Sequence, residues 1–123
     1  MKTILAIGSG SFIGGVFRYL LYTTIQGKAQ TSFPLGTLIV NLIGCLFIGL
    51  IIGLGERTNI NQEWRFFLAT GLCGGFTTFS AFSLETVGLL KTGNINYALV
   101  YISASVLLGI LATFLGFTII KMF

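Results

Sequence analysis

The chain has 123 residues, 54% of them hydrophobic and 8% charged, with a mean hydropathy of +0.97; a soluble domain carries about a quarter charged residues, so the composition is that of an integral membrane protein. The net charge of +4 comes from seven Lys and Arg scattered between apolar spans, with no basic stripe or block, which excludes a nucleic-acid partner. There is no His, and Cys45 and Cys73 sit inside apolar runs without ligand spacing, which excludes a zinc centre or a disulfide framework.

Met1-Lys2 before an apolar run suggests a cleavable signal peptide. That run, however, continues to about residue 25 with Arg18 inside it, and three more runs follow, so a retained first span over residues 3–25 is expected. Its Gly10 and Gly14, four apart, allow a neighbouring helix to come close. After the polar link GKAQTS, Pro34 opens a second span that reaches about residue 54 and holds Asn41 near mid-depth. Gly49 and Gly53 repeat the small-residue spacing and predict packing against protein on that face. The link ERTNINQE is polar, and Trp64 with Arg65 marks the interface where a third span, residues 64–90, enters. It ends near Lys91 in the turn KTGNIN, and a fourth span covers about residues 97–120, closed by Lys121. The expected fold is an all-α membrane protein, one domain over residues 1–123 with four transmembrane helices.

The third span is unusual in its middle, GLCGGFTTFSAFS at residues 71–83. Gly71, Gly74 and Gly75 add backbone freedom, and Thr77, Thr78, Ser80 and Ser83 bring hydroxyls that compete for backbone hydrogen bonds. A helix break is expected there. In hydrocarbon the backbone groups that a break frees must be satisfied by protein, water or an ion, so such a break lines a cavity or an ion site.

Four helices are too few to wall a pore alone, so oligomerisation is expected. Both termini share a side with Lys2, Arg57, Arg65 and Lys121, against Lys28 and Lys91 on the other. So small a bias predicts insertion in both orientations. Arg18 has two readings, snorkelling to an interface or a permanent positive charge at the mouth of an anion path. Asn41 is either an interhelical hydrogen-bonding group or a pore donor, and Glu85 either an interfacial acid or part of a wet vestibule. Phe79 and Phe82, three apart, share a face if helix resumes after the break, and ring edges carry the positive potential that cradles an anion. Thr77, Ser80 and Ser83 have the same spacing and could form an adjoining hydroxyl track.

Three stretches, GGVFR at residues 14–18, GTLIVNLIGCLFIG at 36–49 and GLCGGFTTFSAFSLE at 71–85, resemble the Fluc (CrcB-type) fluoride ion channels. The resemblance implies an antiparallel, dual-topology dimer of four-helix subunits in the inner cell membrane, with no enzymatic activity, that passively exports fluoride. The partners it implies are fluoride, the lipid bilayer and a second copy of the chain or a related subunit. By the same resemblance Phe79 and Phe82 are the pore aromatics and Asn41 a pore donor. Thr78, Ser80, Ser83 and Glu85 lie along the route, Tyr101 and Ser105 are additional liners, and Arg18 belongs to the vestibule. The main-chain carbonyls of Gly74 and Thr77 would hold a structural Na+ at the dimer centre. Ala81 departs from the Thr that relatives often carry, which shortens the hydroxyl track. The rival reading is a small multidrug-resistance-type, proton-coupled exporter. It requires a deep carboxylate in the first span, where this chain has Arg18.

Overall fold

The computed structural model describes residues 1–123 and contains helices and short connections only. Four stretches are long and apolar enough to cross a membrane: Lys2–Ala29, Leu35–Arg57, Gln62–Lys91 and Ile95–Met122. The first two are α1 and α2. The third consists of α3 (Gln62–Arg65), a π-helical stretch (Phe66–Cys73), α4 (Gly74–Phe76), an extended Thr77–Thr78 link and α5 (Phe79–Lys91). The last is α6.

Local chemistry sets the ends. Pro34 precedes α2, where its missing N–H loses nothing. Asn61 caps α3 by accepting from the Glu63 amide at 2.9 Å. Gly93, at φ +79°, supplies the left-handed turn between α5 and α6. At Thr77 and Thr78 the chain goes extended (ψ 156° and 116°), and Thr78 restarts the helix as N-cap, its Oγ1 accepting from the Ala81 amide at 3.1 Å.

Small residues bring the helices together in two pairs. A Cβ on Gly10 would strike the Phe67 carbonyl oxygen, and one on Gly14 the Leu72 carbonyl oxygen, so α1 lies directly on the first half of the third span. Gly49 and Gly116 do the same for α2 and α6, facing the carbonyl oxygens of Thr113 and Leu46. The expected glycine contacts of the first two spans are thus formed. The break does not fall on the glycines. Gly74 and Gly75 are helical, with Gly75 against the Ser11 backbone, and the chain opens only after Phe76. The glycines give close approach, and the two threonines, β-branched and able to cap, make the break.

Leu38, Leu89, Ala98 and Tyr101 form the buried core, with Phe33 and Phe82 packed against it. Only 18 of the 123 residues are buried, so most helix faces are left to lipid or to another subunit. At the end where α2 and α6 finish, the Arg57 guanidinium donates to the Ile120 carbonyl at 2.6 Å and Lys121 pairs with Glu56 at 3.5 Å.

Candidate functional site

The break is held open by one side chain. Asn41, about two turns into α2, accepts from the Thr78 amide through Oδ1 at 2.8 Å and donates through Nδ2 to the Thr78 carbonyl at 3.1 Å. In a continuous helix the Thr78 amide would bond the Gly74 carbonyl, and the Ala81 amide would bond the Thr77 carbonyl. Here the first goes to Asn41 and the second to the Thr78 hydroxyl. Gly74 therefore loses its helical donor, and no donor of the chain reaches the Thr77 carbonyl. The carbonyls freed are those of the two residues expected to hold a cation. Carbonyl oxygens are hard ligands suited to a monovalent ion, and Gly74, exposed and without a side chain, leaves room for close approach.

Two grooves meet at the break, and Thr78 is the one residue lining both. The first, about 510 Å³, is lined by Arg18 and Tyr22 from α1, Thr37 from α2, and Ser80 and Glu85 from α5. The Thr78 and Ser80 hydroxyls lie 3.3 Å apart along it. Glu85 also borders a further groove of about 400 Å³ at the loop end, with Ser32, Thr92 and Asn94. The vestibule thus runs toward the membrane face where α1 and α5 finish.

The Glu85 carboxylate is fixed from two other helices. Thr37 donates its hydroxyl to Oε1 at 2.6 Å, and Tyr101 donates to Oε2 at 3.0 Å. Tyr101 is fully buried, and its ring packs on Phe82 (centroids 5.1 Å apart) and edge-on against Phe33 (5.7 Å).

The second groove, about 390 Å³, contains Asn41, Cys45, Cys73, Gly74, Thr77, Phe79, Phe82 and Ser105. The Phe79 and Phe82 rings sit 5.5 Å apart, so the helix that resumes after the break does place them on one face. Phe82 is half-buried against the core, whereas Phe79 is 78% exposed. The Ser105 hydroxyl is buried without a hydrogen-bond partner beside these rings, and Asn41, whose Nδ2 uses one of its two hydrogens on Thr78, lines the same groove.

The structure separates residues that spacing alone had aligned. Thr77 lies before the break, donates to the Cys73 carbonyl at 2.9 Å and lines the second groove, while Ser80 lies after it in the first. Ser83, half-buried, lines neither. Tyr101 acts on Glu85 and lines neither groove, although Ser105, one turn on, lines the second. Thr37 was missed by sequence reasoning. Its position one turn before Asn41 on α2 was the available signal, since residues four apart share a helix face.

Comparison with known proteins matches this arrangement to a family. The family profile described as CrcB-like protein, Camphor Resistance (CrcB), matches residues 5–117. A relative from Flavobacterium psychrophilum, named fluoride-specific ion channel FluC, is 49% identical over 98% of this chain and 98% of its own length. Relatives of the same name from Phocaeicola vulgatus (48% identical, 94% of this chain, 96% of the relative) and Leptospira interrogans (44%, 99%, 97%) match in the same way. With four spanning helices, a break pinned by Asn41 and near full-length relatives of this kind, the chain is a multi-pass membrane protein that belongs to the CrcB-like family.

Proposed function

We propose that the protein is a fluoride-selective channel of the inner cell membrane that lets fluoride leave the cytoplasm down its gradient and so relieves its toxicity. The observation that carries this is the near full-length similarity to relatives named fluoride-specific ion channels, up to 49% identical. The geometry supports it. Arg18 places a permanent positive charge in the first groove. The Thr78 and Ser80 hydroxyls can turn a hydrogen toward a small anion that has lost part of its water. Beyond Thr78 the route passes the ring edges of Phe79 and Phe82, the unpartnered Ser105 hydroxyl and the second Asn41 N–H. Those edges present positive potential without the strong binding that would trap the ion.

Both grooves lie on the outside of a single four-helix subunit, so a second copy is needed to wall them from lipid. An antiparallel two-fold dimer does this and points one vestibule at each membrane face, in keeping with the weak charge bias of the loops. The Gly74 and Thr77 carbonyls of the two copies would hold one Na+. The ion would satisfy freed backbone oxygens and fix the break in both subunits, and it is no part of the transported species.

Purified protein in liposomes tests the reading. Fluoride efflux, followed with a fluoride electrode, is expected to be fast, with chloride efflux at background. Comparable fluxes of the two anions, or no fluoride flux, would overturn it. Cysteines placed at Lys28 and Lys121 are each expected to react from both sides of the membrane. Labelling from one side only would replace the homodimer with a pairing to an oppositely oriented subunit.

A further inference from the structure

The loop between α1 and α2 is tied to α1 by a single half-buried amide. Gln26 donates through Nε2 to the carbonyls of Thr31 at 2.9 Å and Phe33 at 3.1 Å, and accepts through Oε1 from the Gly36 amide at 2.9 Å. Both residues that hold Glu85 are reached from this loop. Phe33 stands edge-on against the Tyr101 ring, whose hydroxyl donates to Oε2 of Glu85. Gly36 is followed directly by Thr37, whose hydroxyl donates to Oε1. Gly36 also lies so close to α1 that a Cβ there would come 2.7 Å from the Tyr22 ring. The start of α2 is therefore placed by this close approach together with the Gln26 clasp.

We infer that Gln26 is a positioning residue for the anion path, fixing through Phe33 and through Gly36–Thr37 the two hydroxyls that set the direction of the Glu85 carboxylate. The inference rests on the fluoride reading above and adds a residue that is absent from the groove shared by Arg18, Ser80 and Glu85 and borders, with Glu85, the further groove at the loop end. Chemistry explains why an amide is needed. Two of its partners are carbonyls and one is an N–H, so the clasp requires a donor and an acceptor on one side chain long enough to leave α1. Without it the loop can shift while the helices stay packed through their glycines, and the carboxylate loses its fixed direction. A carboxylate free to swing into the groove would repel an anion there.

Single-channel recording in planar bilayers separates this role from a merely structural one. A structural defect lowers the number of active channels and leaves the unitary fluoride current unchanged; a positioning defect lowers the unitary current. Gln26→Met keeps the length and removes all three bonds, and is expected to cut the unitary current about fivefold or more, the effect of roughly one ordinary hydrogen bond left unmade. Phe33→Leu leaves the clasp and removes the edge-on ring, and is expected to lower the unitary current in the same sense; it decides the matter should Gln26→Met fail to assemble. Wild-type unitary currents in the assembled variant, whatever the number of channels, would overturn the inference. A wild-type protein that passes no fluoride would instead overturn the functional reading beneath it.

Discussion

Asn41→Leu is the sharpest probe of how the break is kept. Leucine nearly matches the shape of asparagine but removes both hydrogen bonds to Thr78, at 2.8 and 3.1 Å. The Thr78 N–H and C=O are then left in a water-poor setting, at about 1–3 kcal/mol each, so the broken conformation rises by roughly 2–6 kcal/mol. The chain has a cheaper alternative. Turning Thr78 helical returns its N–H to the Gly74 carbonyl, which closes the break, withdraws that carbonyl and swings Phe79 away from its place 5.5 Å from Phe82. Since about 1.4 kcal/mol is a factor of ten, even the lower figure shifts the ratio of broken to closed states more than tenfold toward the closed one. Initial fluoride efflux per assembled protein in liposomes is therefore expected to fall at least tenfold, with the variant still eluting as the wild type does on gel filtration. Efflux within about twofold of wild type in an assembled Asn41→Leu protein would refute the argument that this amide holds the break.

Phe79→Ile and Phe82→Ile both remove ring edges, but Phe82 is packed on Tyr101 at 5.1 Å and Phe79 is 78% exposed. Flux should drop in both and thermal stability only in Phe82→Ile; normal flux in both would remove the rings from the mechanism. Gly49→Ala should lower stability by about 1–3 kcal/mol, because the new methyl meets the Thr113 backbone, which cannot step aside as a flexible side chain could. Unchanged resistance to thermal unfolding in detergent would contradict that close approach. Stringent sodium removal should reduce fluoride flux reversibly through loss of order at the break, and full activity after verified depletion would sink the carbonyl site.

Much of the fold was legible because it rests on local pattern. Apolar runs longer than a bilayer is thick mark the four spans, and Gly10, Gly14, Gly49 and Gly53 mark the faces that meet. The break was foreseen within residues 71–83, and of the two features read there the threonines, not the glycines, carry it. Glycines permit an irregular backbone without requiring it, and here packing against α1 holds Gly71 and Gly75 in helix. The π-helical stretch of residues 66–73 was not foreseen, for such widening answers to the fit of one helix on another. Thr77 and Ser80 were aligned by spacing that assumes one continuous helix, and the break sends them to different grooves. Thr37 and Gln26 escaped notice because a Thr and a Gln near helix ends are unremarkable until the partner they hold is seen.

Glu85 is the feature that most needs explaining in a path for anions, and the geometry supplies the explanation. A bare carboxylate beside Ser80 would oppose entry of fluoride, while Arg18 on the same groove favours it. Both oxygens of Glu85 accept from hydroxyls on α2 and α6, which spreads part of its charge into hydrogen bonds and directs the carboxylate toward the helix bundle. Arg18 has no acid within ion-pairing distance, since the one salt bridge in the chain joins Lys121 to Glu56 at the far end. The groove therefore presents its positive group free and its negative group held. On the proposed route that asymmetry would draw an anion inward to Thr78, where the next groove is lined by neutral groups, among them the Asn41 amide, the Ser105 hydroxyl and the Phe79 and Phe82 rings. Neutral donors bind an ion more weakly than a full charge would, so it can arrive by attraction and still move on.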